Sequence, residues 1–148
     1  MKFENTVKIM KEIHKDRIIM VKVGSFYNCW SRDAVIMAYL FGYNLKKVDN
    51  IYTCGFPASA LNKVLVTIEK EKISYLVSQK SENYEVINEE DYKSENRYNE
   101  LYSKANKYIN RKNRITNIYS YFMENINEDN IKEKIQKVED IIYEIWTI

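Results

Sequence analysis

The chain has 148 residues, of which 45% are hydrophobic and 30% charged. This length allows one domain, or one small domain with a helical appendage, and the composition excludes a disordered chain. The net charge of +2 hides an asymmetry: residues 1–80 carry 13 Lys/Arg against 7 Asp/Glu, whereas residues 81–148 carry 10 against 14. A basic first part is compatible with phosphate contact. Cys29 and Cys54 lack CxxC spacing and His14 is the only histidine, which argues against a zinc site and a disulfide framework. The charged stretch Met1–Met10 does not read as a signal peptide, and no apolar run is long enough to span a bilayer. The expected location is a reducing cytoplasm, with no membrane contact.

In chain order, residues 4–15 read as a helix with Val7, Ile9, Met10 and Ile13 apolar and Asn5 or Thr6 at its start. Its lysines form a phosphate-facing stripe or a solvated face. Residues 17–23 are β-branched and apolar and read as a central strand. Val23-Gly24-Ser25-Phe26-Tyr27-Asn28-Cys29-Trp30 follows and reads as a glycine-led turn that sets Phe26, Tyr27 and Asn28 at the exposed end of that strand. An aromatic followed closely by an amide can stack on a base and hydrogen-bond its edge. The same residue types also suit a core, with Phe26 and Trp30 buried at the strand end. Arg32–Phe41 is the next helix, with Ser31 as its N-cap and Gly42 at its C-terminal end.

Residues 43–48 and 51–54 read as a hairpin about Asp49-Asn50. Lys46 and Lys47 are phosphate contacts or solubilising edge lysines. Gly55-Phe56-Pro57 opens a helix whose apolar face is Leu61, Val64, Leu65 and Ile68, and residues 73–78 form a buried strand. Residues 84–87 suit a last edge strand. An acidic stretch then marks a boundary near residues 89–94. Beyond it, Tyr98, Leu101, Tyr102, Ala105, Tyr108 and Ile109 fall at helical spacing. So do Ile115, Ile118, Tyr119, Phe122 and Ile126, and, after a turn at 125–130, Ile131, Ile135, Val138, Ile142 and Ile145. A lone hairpin cannot bury such faces, so it should dock on the sheet domain or pair with another copy. Lys104, Lys107, Arg111 and Arg114 share one helical face, suited to a nucleic-acid backbone or to solvent.

From Asp16 to about Gln79 the chain resembles the N-terminal mismatch-recognition domain of the MutS family. The residues that carry this are Val23-Gly24-Ser25-Phe26-Tyr27-Asn28, Asp33-Ala34, Asn44-Leu45-Lys46-Lys47, Cys54-Gly55-Phe56-Pro57-Ala58-Ser59-Ala60-Leu61 and Tyr75-Leu76-Val77-Ser78-Gln79. The family pattern has Gly-Asp-Phe-Tyr-Glu at the first motif and Gly-Phe/Ile-Pro-x-His-Ala at the fourth. The resemblance implies a fold of the α/β (α+β) class. A mixed β-sheet flanked by helices is expected over residues 1–90, with a C-terminal α-helical hairpin or small bundle over 95–148.

The resemblance also implies a DNA-contacting wedge. In the family the Phe enters the minor groove and stacks on an unpaired or mispaired base, and the Glu two residues later hydrogen-bonds that base. Phe26 matches the Phe, while Asn28 stands in place of the Glu and Ser25 in place of the Asp. An amide still donates and accepts, but the charge is gone. A less acidic loop repels phosphate less, so affinity is kept or raised while discrimination falls. Lys22, Lys46, Lys47 and Lys63 are the expected backbone contacts by position.

No phosphate-binding GxxxxGK[ST] loop is present, and no catalytic triad or paired carboxylates can be assembled. Catalysis, a metal and a cofactor are therefore not expected. The expected partner is DNA, with RNA as a second polymer. A protein partner or a homodimer through the C-terminal helices is the other reading, in which the chain is an adaptor for a DNA- or RNA-processing enzyme.

Overall fold

The computed structural model describes residues 3–80 and 84–147. The chain divides into two compact units, Met1–Ile109 and Asn110–Ile148. In the first, a six-stranded mixed sheet has the order β3-β4-β2-β1-β5-β6. Its strands are β1 (Arg17–Val23), β2 (Phe26–Trp30), β3 (Lys46–Val48), β4 (Ile51–Pro57), β5 (Ser74–Lys80) and β6 (Tyr84–Glu90). The helices are α1 (Phe3–Ile13), α2 (Ser31–Phe41), α3 (Leu61–Lys70), α4 (Glu95–Glu124) and α5 (Ile131–Trp146). Among the described residues no helix is long and apolar enough to cross a membrane.

Strand β2 corrects the reading of a turn running directly into a helix. Its residues alternate, with Tyr27 and Cys29 buried on one face and Phe26 and Asn28 on the other. Only Gly24-Ser25 turns the chain, and Val23 pairs with Phe26 across it. Gly24 takes φ +63° while Ser25 stays at negative φ, which suits a two-residue hairpin with glycine at its first central position. Asp49 and Asn50 both take positive φ (49° and 64°), as a type I′ turn between β3 and β4 requires.

The capping expectations differ from the structure. Ser31 adopts φ 54° as the first residue of α2, and no side chain caps that helix. The chain must swing from strand to helix within one residue there, which leaves Ser31 outside the extended conformation a capping serine needs. Asn5 and Thr6 lie inside α1, which begins at Phe3. Gly42 does end α2, with its N–H donating to the Ala38 carbonyl. Pro57 closes β4, which runs three residues past its expected end, and a short 3₁₀ turn at Ala58–Ala60 leads into α3. Strand β3 is shorter than expected and starts at Lys46.

Alternation along the strands gives the sheet two differently covered faces. Ile18, Met20, Tyr27, Cys29, Phe56, Tyr75 and Val77 meet the buried residues of α2 and α3. Tyr98, Leu101, Ala105 and Ile109 of α4 join this core, so the first half of that helix docks on the sheet. Phe56 is fully buried, and truncating it to alanine would cost about 3–5 kcal/mol. On the opposite face Ile19, Val21 and Leu76 are covered by Val7 and Met10 of α1, with Trp30 and Tyr84 packed alongside.

A buried polar node ties α1, α2 and α4 to β1. Lys11 Nζ donates to Asp33 Oδ1 (2.6 Å), the Arg17 carbonyl (2.6 Å) and the Tyr98 hydroxyl (3.0 Å), which uses all three of its donors. Tyr98 also donates to Asp33 Oδ1, and the Ile19 N–H donates to Asp33 Oδ2. The acidic end of β6 and the residue after it are held by Arg17, which donates to Glu89 (3.0 Å) and Asp91 (2.9 Å).

In the second unit α4 continues to Glu124 as one helix, and α5 follows the turn at 125–130. Lys134 donates to the Tyr121 hydroxyl at 2.6 Å. Apart from the buried Ile131, the large apolar residues here are mostly exposed, including Ile115, Ile118, Tyr119, Ile141, Ile145 and Trp146.

Candidate nucleic-acid interface

The face carrying Ile19 and Val21 is covered only in part by α1, and strand alternation decides what remains open. Cross-strand pairing forms three rows on this face: Val23, Phe26 and Pro57; Val21, Asn28 and Gly55; and Trp30, Thr53 and Lys46. Phe26 stands at the hairpin tip and is 48% exposed, so its ring is not a core ring. The tip is pinned, because the Ala58 N–H donates to the Ser25 carbonyl at 2.9 Å. The aromatic is thereby offered to solvent from a fixed backbone.

Asn28 is half-buried beside Gly55. A Cβ on Gly55 would stand 2.8 Å from Asn28 Oδ1 and 3.3 Å from the Tyr27 carbonyl oxygen. Glycine is therefore the residue that lets the amide lie across β4. Phe26, Asn28, Asn44, Lys46, Thr53 and Gly55 line a hollow of about 280 Å³ with no carboxylate in its wall. Its charge comes from Lys46 alone. Such a hollow offers an aromatic face, two amides, a hydroxyl and one cation, a set able to stack on a base, bond its edge and tolerate phosphate.

A ring ladder on the opposite face stiffens the same strands. Tyr27 stacks on Phe56 (5.6 Å), Phe56 on Tyr43 (5.6 Å) and Tyr43 on Phe41 (5.2 Å). Burial pushes the Tyr27 and Tyr43 phenols up, so the ladder is neutral. Cys29 and Cys54 are register partners and both free. The Cys29 thiol is pushed well up, first by its hydrogen bond with Cys54 and then by burial, which suits inert core packing. Among the described residues no group of three or more His, Cys, Asp or Glu side chains could hold a metal ion.

The structure distributes the expected basic residues unevenly. Lys46 borders the hollow. Lys22 pairs with Tyr27 and Lys47 with Tyr52, which puts both on the opposite face, and Lys47 Nζ sits 5.0 Å from the Tyr52 ring centroid. Lys63 is exposed on α3, in the layer that covers that opposite face. Lys104 and Lys107 are exposed on α4 in the first unit, and Arg111 and Arg114 are exposed in the second. Sequence reasoning missed Asn44, Thr53 and Gly55. Gly55 and Thr53 were legible only once β2 was recognised as their pairing partner.

A family model described as MutS domain I matches residues 1–120. The DNA mismatch repair protein MutS of Borrelia turicatae (strain 91E135) is 35% identical over 65 residues, 42% of this chain and 8% of that protein. The DNA mismatch repair protein MutS of Prochlorococcus marinus (strain MIT 9301) is 27% identical over 74 residues, 46% of this chain and 8% of that protein. The matched stretch thus spans 8% of the length of these curated relatives. With residues 1–120 matched by that model, which take in the whole of the mixed sheet, the chain belongs to the MutS domain I family.

Proposed function

We propose that the chain is a non-catalytic nucleic-acid-binding module that presents Phe26 as a stacking wedge and Asn28 as a base-edge contact, to DNA that is distorted or mispaired. The observation that carries this is the half-exposed Phe26 ring on a pinned hairpin tip, beside an amide in a carboxylate-free hollow. Opening a stacked step costs a few kcal/mol, least where pairing is already defective. Stacking one base on an aromatic returns roughly 1–3 kcal/mol. The two nearly cancel on intact duplex and leave a net gain at a bulge or mismatch. Lys46 supplies phosphate attraction at the hollow, and Lys104 and Lys107 add basic surface elsewhere on the first unit.

Fluorescence-anisotropy titration against matched duplex, bulged or mismatched duplex, single-stranded DNA and RNA at two salt concentrations tests it. Salt-dependent binding that favours distorted DNA duplex, with the preference lost in Phe26→Ala, is expected. Equal binding and equal preference in that variant would refute the wedge.

The exposed apolar residues of α5 and the end of α4 favour a second reading, an adaptor that contacts protein through Asn110–Ile148. The charge pattern of α5 suits a second copy. Its first half carries Lys132, Lys134 and Lys137 against Glu133 and its second half Glu139, Asp140 and Glu144, so antiparallel self-pairing sets a net positive half against a negative one.

A further inference from the structure

Strand β2 carries a second aromatic on the Phe26 face. Trp30 follows four residues on, about 13 Å along the strand at roughly 3.3 Å per residue. Beside it a cleft of about 400 Å³ opens between α1 and the start of α2. That volume falls within the roughly 300–1,000 Å³ typical of small-molecule sites. Its walls are apolar, made by Val7, Ile19, Trp30 and Ile51. Its rim is basic, with Lys8 and Lys15 exposed against one carboxylate, Glu12, while the Arg32 guanidinium sits 4.9 Å from the Tyr102 ring centroid.

The deeper polar groups are already satisfied. Lys11 has its three donors engaged, and both oxygens of Asp33 accept hydrogen bonds. Lys11 and Asp33 also neutralise each other, so the floor neither attracts nor repels an anion. Attraction therefore comes from the rim. The uncapped start of α2 adds to it, because its first N–H groups lack intrahelical partners. An apolar slot with an indole in its wall and cations at its mouth is complementary to a planar base carrying a phosphate.

We propose that this cleft binds a nucleotide, with the base against Trp30 and the phosphate between Lys8 and Lys15. The proposal rests on the nucleic-acid reading of Phe26 only for the source of that nucleotide. Lys46 and Thr53 of the hollow wall share a cross-strand row with Trp30 of the cleft wall, so a strand with one base at Phe26 reaches the cleft along the same face.

The chain has two tryptophans, Trp30 and Trp146, so the full-length Trp146→Phe variant reports on Trp30 alone. Its fluorescence is titrated with AMP, ribose 5-phosphate, inorganic phosphate and a short 5′-phosphorylated oligothymidylate. Saturable quenching by AMP or by the oligonucleotide, but by neither base-free phosphate, is expected. Lys8→Glu/Lys15→Glu in that background should weaken it by about tenfold or more, since both side chains are exposed and neither packs in the core. Tighter quenching by the oligonucleotide than by AMP assigns the site to a strand, and the reverse assigns it to a free nucleotide. No saturable quenching by either, or quenching unchanged in the charge variant, overturns the proposal. The Phe26→Ala variant separates the two readings. If AMP still quenches Trp30 when distorted duplex is not preferred, the cleft stands without the wedge. If duplex preference holds while Trp30 is silent, the cleft alone fails.

Discussion

Asn28 and Gly55 face each other across β2 and β4, and Asn28 Oδ1 lies 2.8 Å from the place a Cβ on Gly55 would occupy. The amide is therefore seated by the absence of an atom. Gly55→Ala should leave the fold intact, because the nearest obstructing atom is the end of a side chain that can rotate away and the Tyr27 carbonyl, at 3.3 Å, need yield only a few tenths of an ångström. The expected stability change is within about 1 kcal/mol. The displaced amide should weaken preference for distorted duplex while binding to matched duplex changes little. Thermal unfolding alongside anisotropy on both duplexes checks this, and an unfolded variant or an unaltered preference would count against the seating role.

Asn28→Glu restores the residue type of the family pattern in a hollow whose only charge is Lys46. The carboxylate accepts from a base edge but repels phosphate. General affinity for matched duplex should fall, most at low salt where screening is weakest, and the ratio of distorted to matched binding should rise. Titration of both duplexes at two salt concentrations reads the two effects separately. A rise in matched-duplex affinity would contradict the phosphate argument.

Much of the fold around this hollow was legible in sequence, and what was not has a physical cause. Phe26-Tyr27-Asn28-Cys29-Trp30 already alternates in burial as a strand would. A turn reading masked it because the preceding glycine is followed by only one further turn residue. Lys46 could be placed at the hairpin, but the alternation that separates it from Lys47 depends on register with β4, which is a pairing property. The Lys11–Asp33–Tyr98 node joins positions 87 residues apart at its extremes, and no local pattern announces it. Helical spacing identified Tyr98, Leu101, Ala105 and Ile109 as one apolar face, but only packing shows that this face completes the core of the sheet unit.

That node makes a stability prediction. Burial pushes the Asp33 carboxyl above its ordinary value of 3.8, partly offset by the Lys11 ammonium and the Tyr98 hydroxyl. A carboxyl raised in the folded state contributes most below 3.8 and loses that contribution as pH rises through its folded value. Tyr98→Phe keeps the ring but removes a donor that favours the charged form. It should cost about 1–3 kcal/mol near neutral pH, as expected for a hydrogen bond to a charged group, and less once Asp33 is protonated. Chemical denaturation of both proteins at neutral and mildly acidic pH tests this. A cost that grows on acidification would contradict the assignment.

The second unit leaves a hydrophobic surface without cover. Trp146 is 83% exposed and Ile145 61%, and Ile135, Val138, Ile142 and Ile145 continue, at three- and four-residue steps along α5, a repeat whose first member, Ile131, is buried. That heptad-like spacing is a helix-pairing pattern, and the reversal of charge along α5 favours an antiparallel copy of itself. Sedimentation velocity should show concentration-dependent dimers that weaken as salt rises. Ile135→Glu/Ile142→Glu should abolish them, and the melting of the sheet unit should not change because both residues are exposed on the other unit. The emission of Trp146 in a Trp30→Phe background should shift to the blue on self-association and stay fixed in the double variant. Monomers at every concentration would remove the second copy and leave a different protein as the partner to seek.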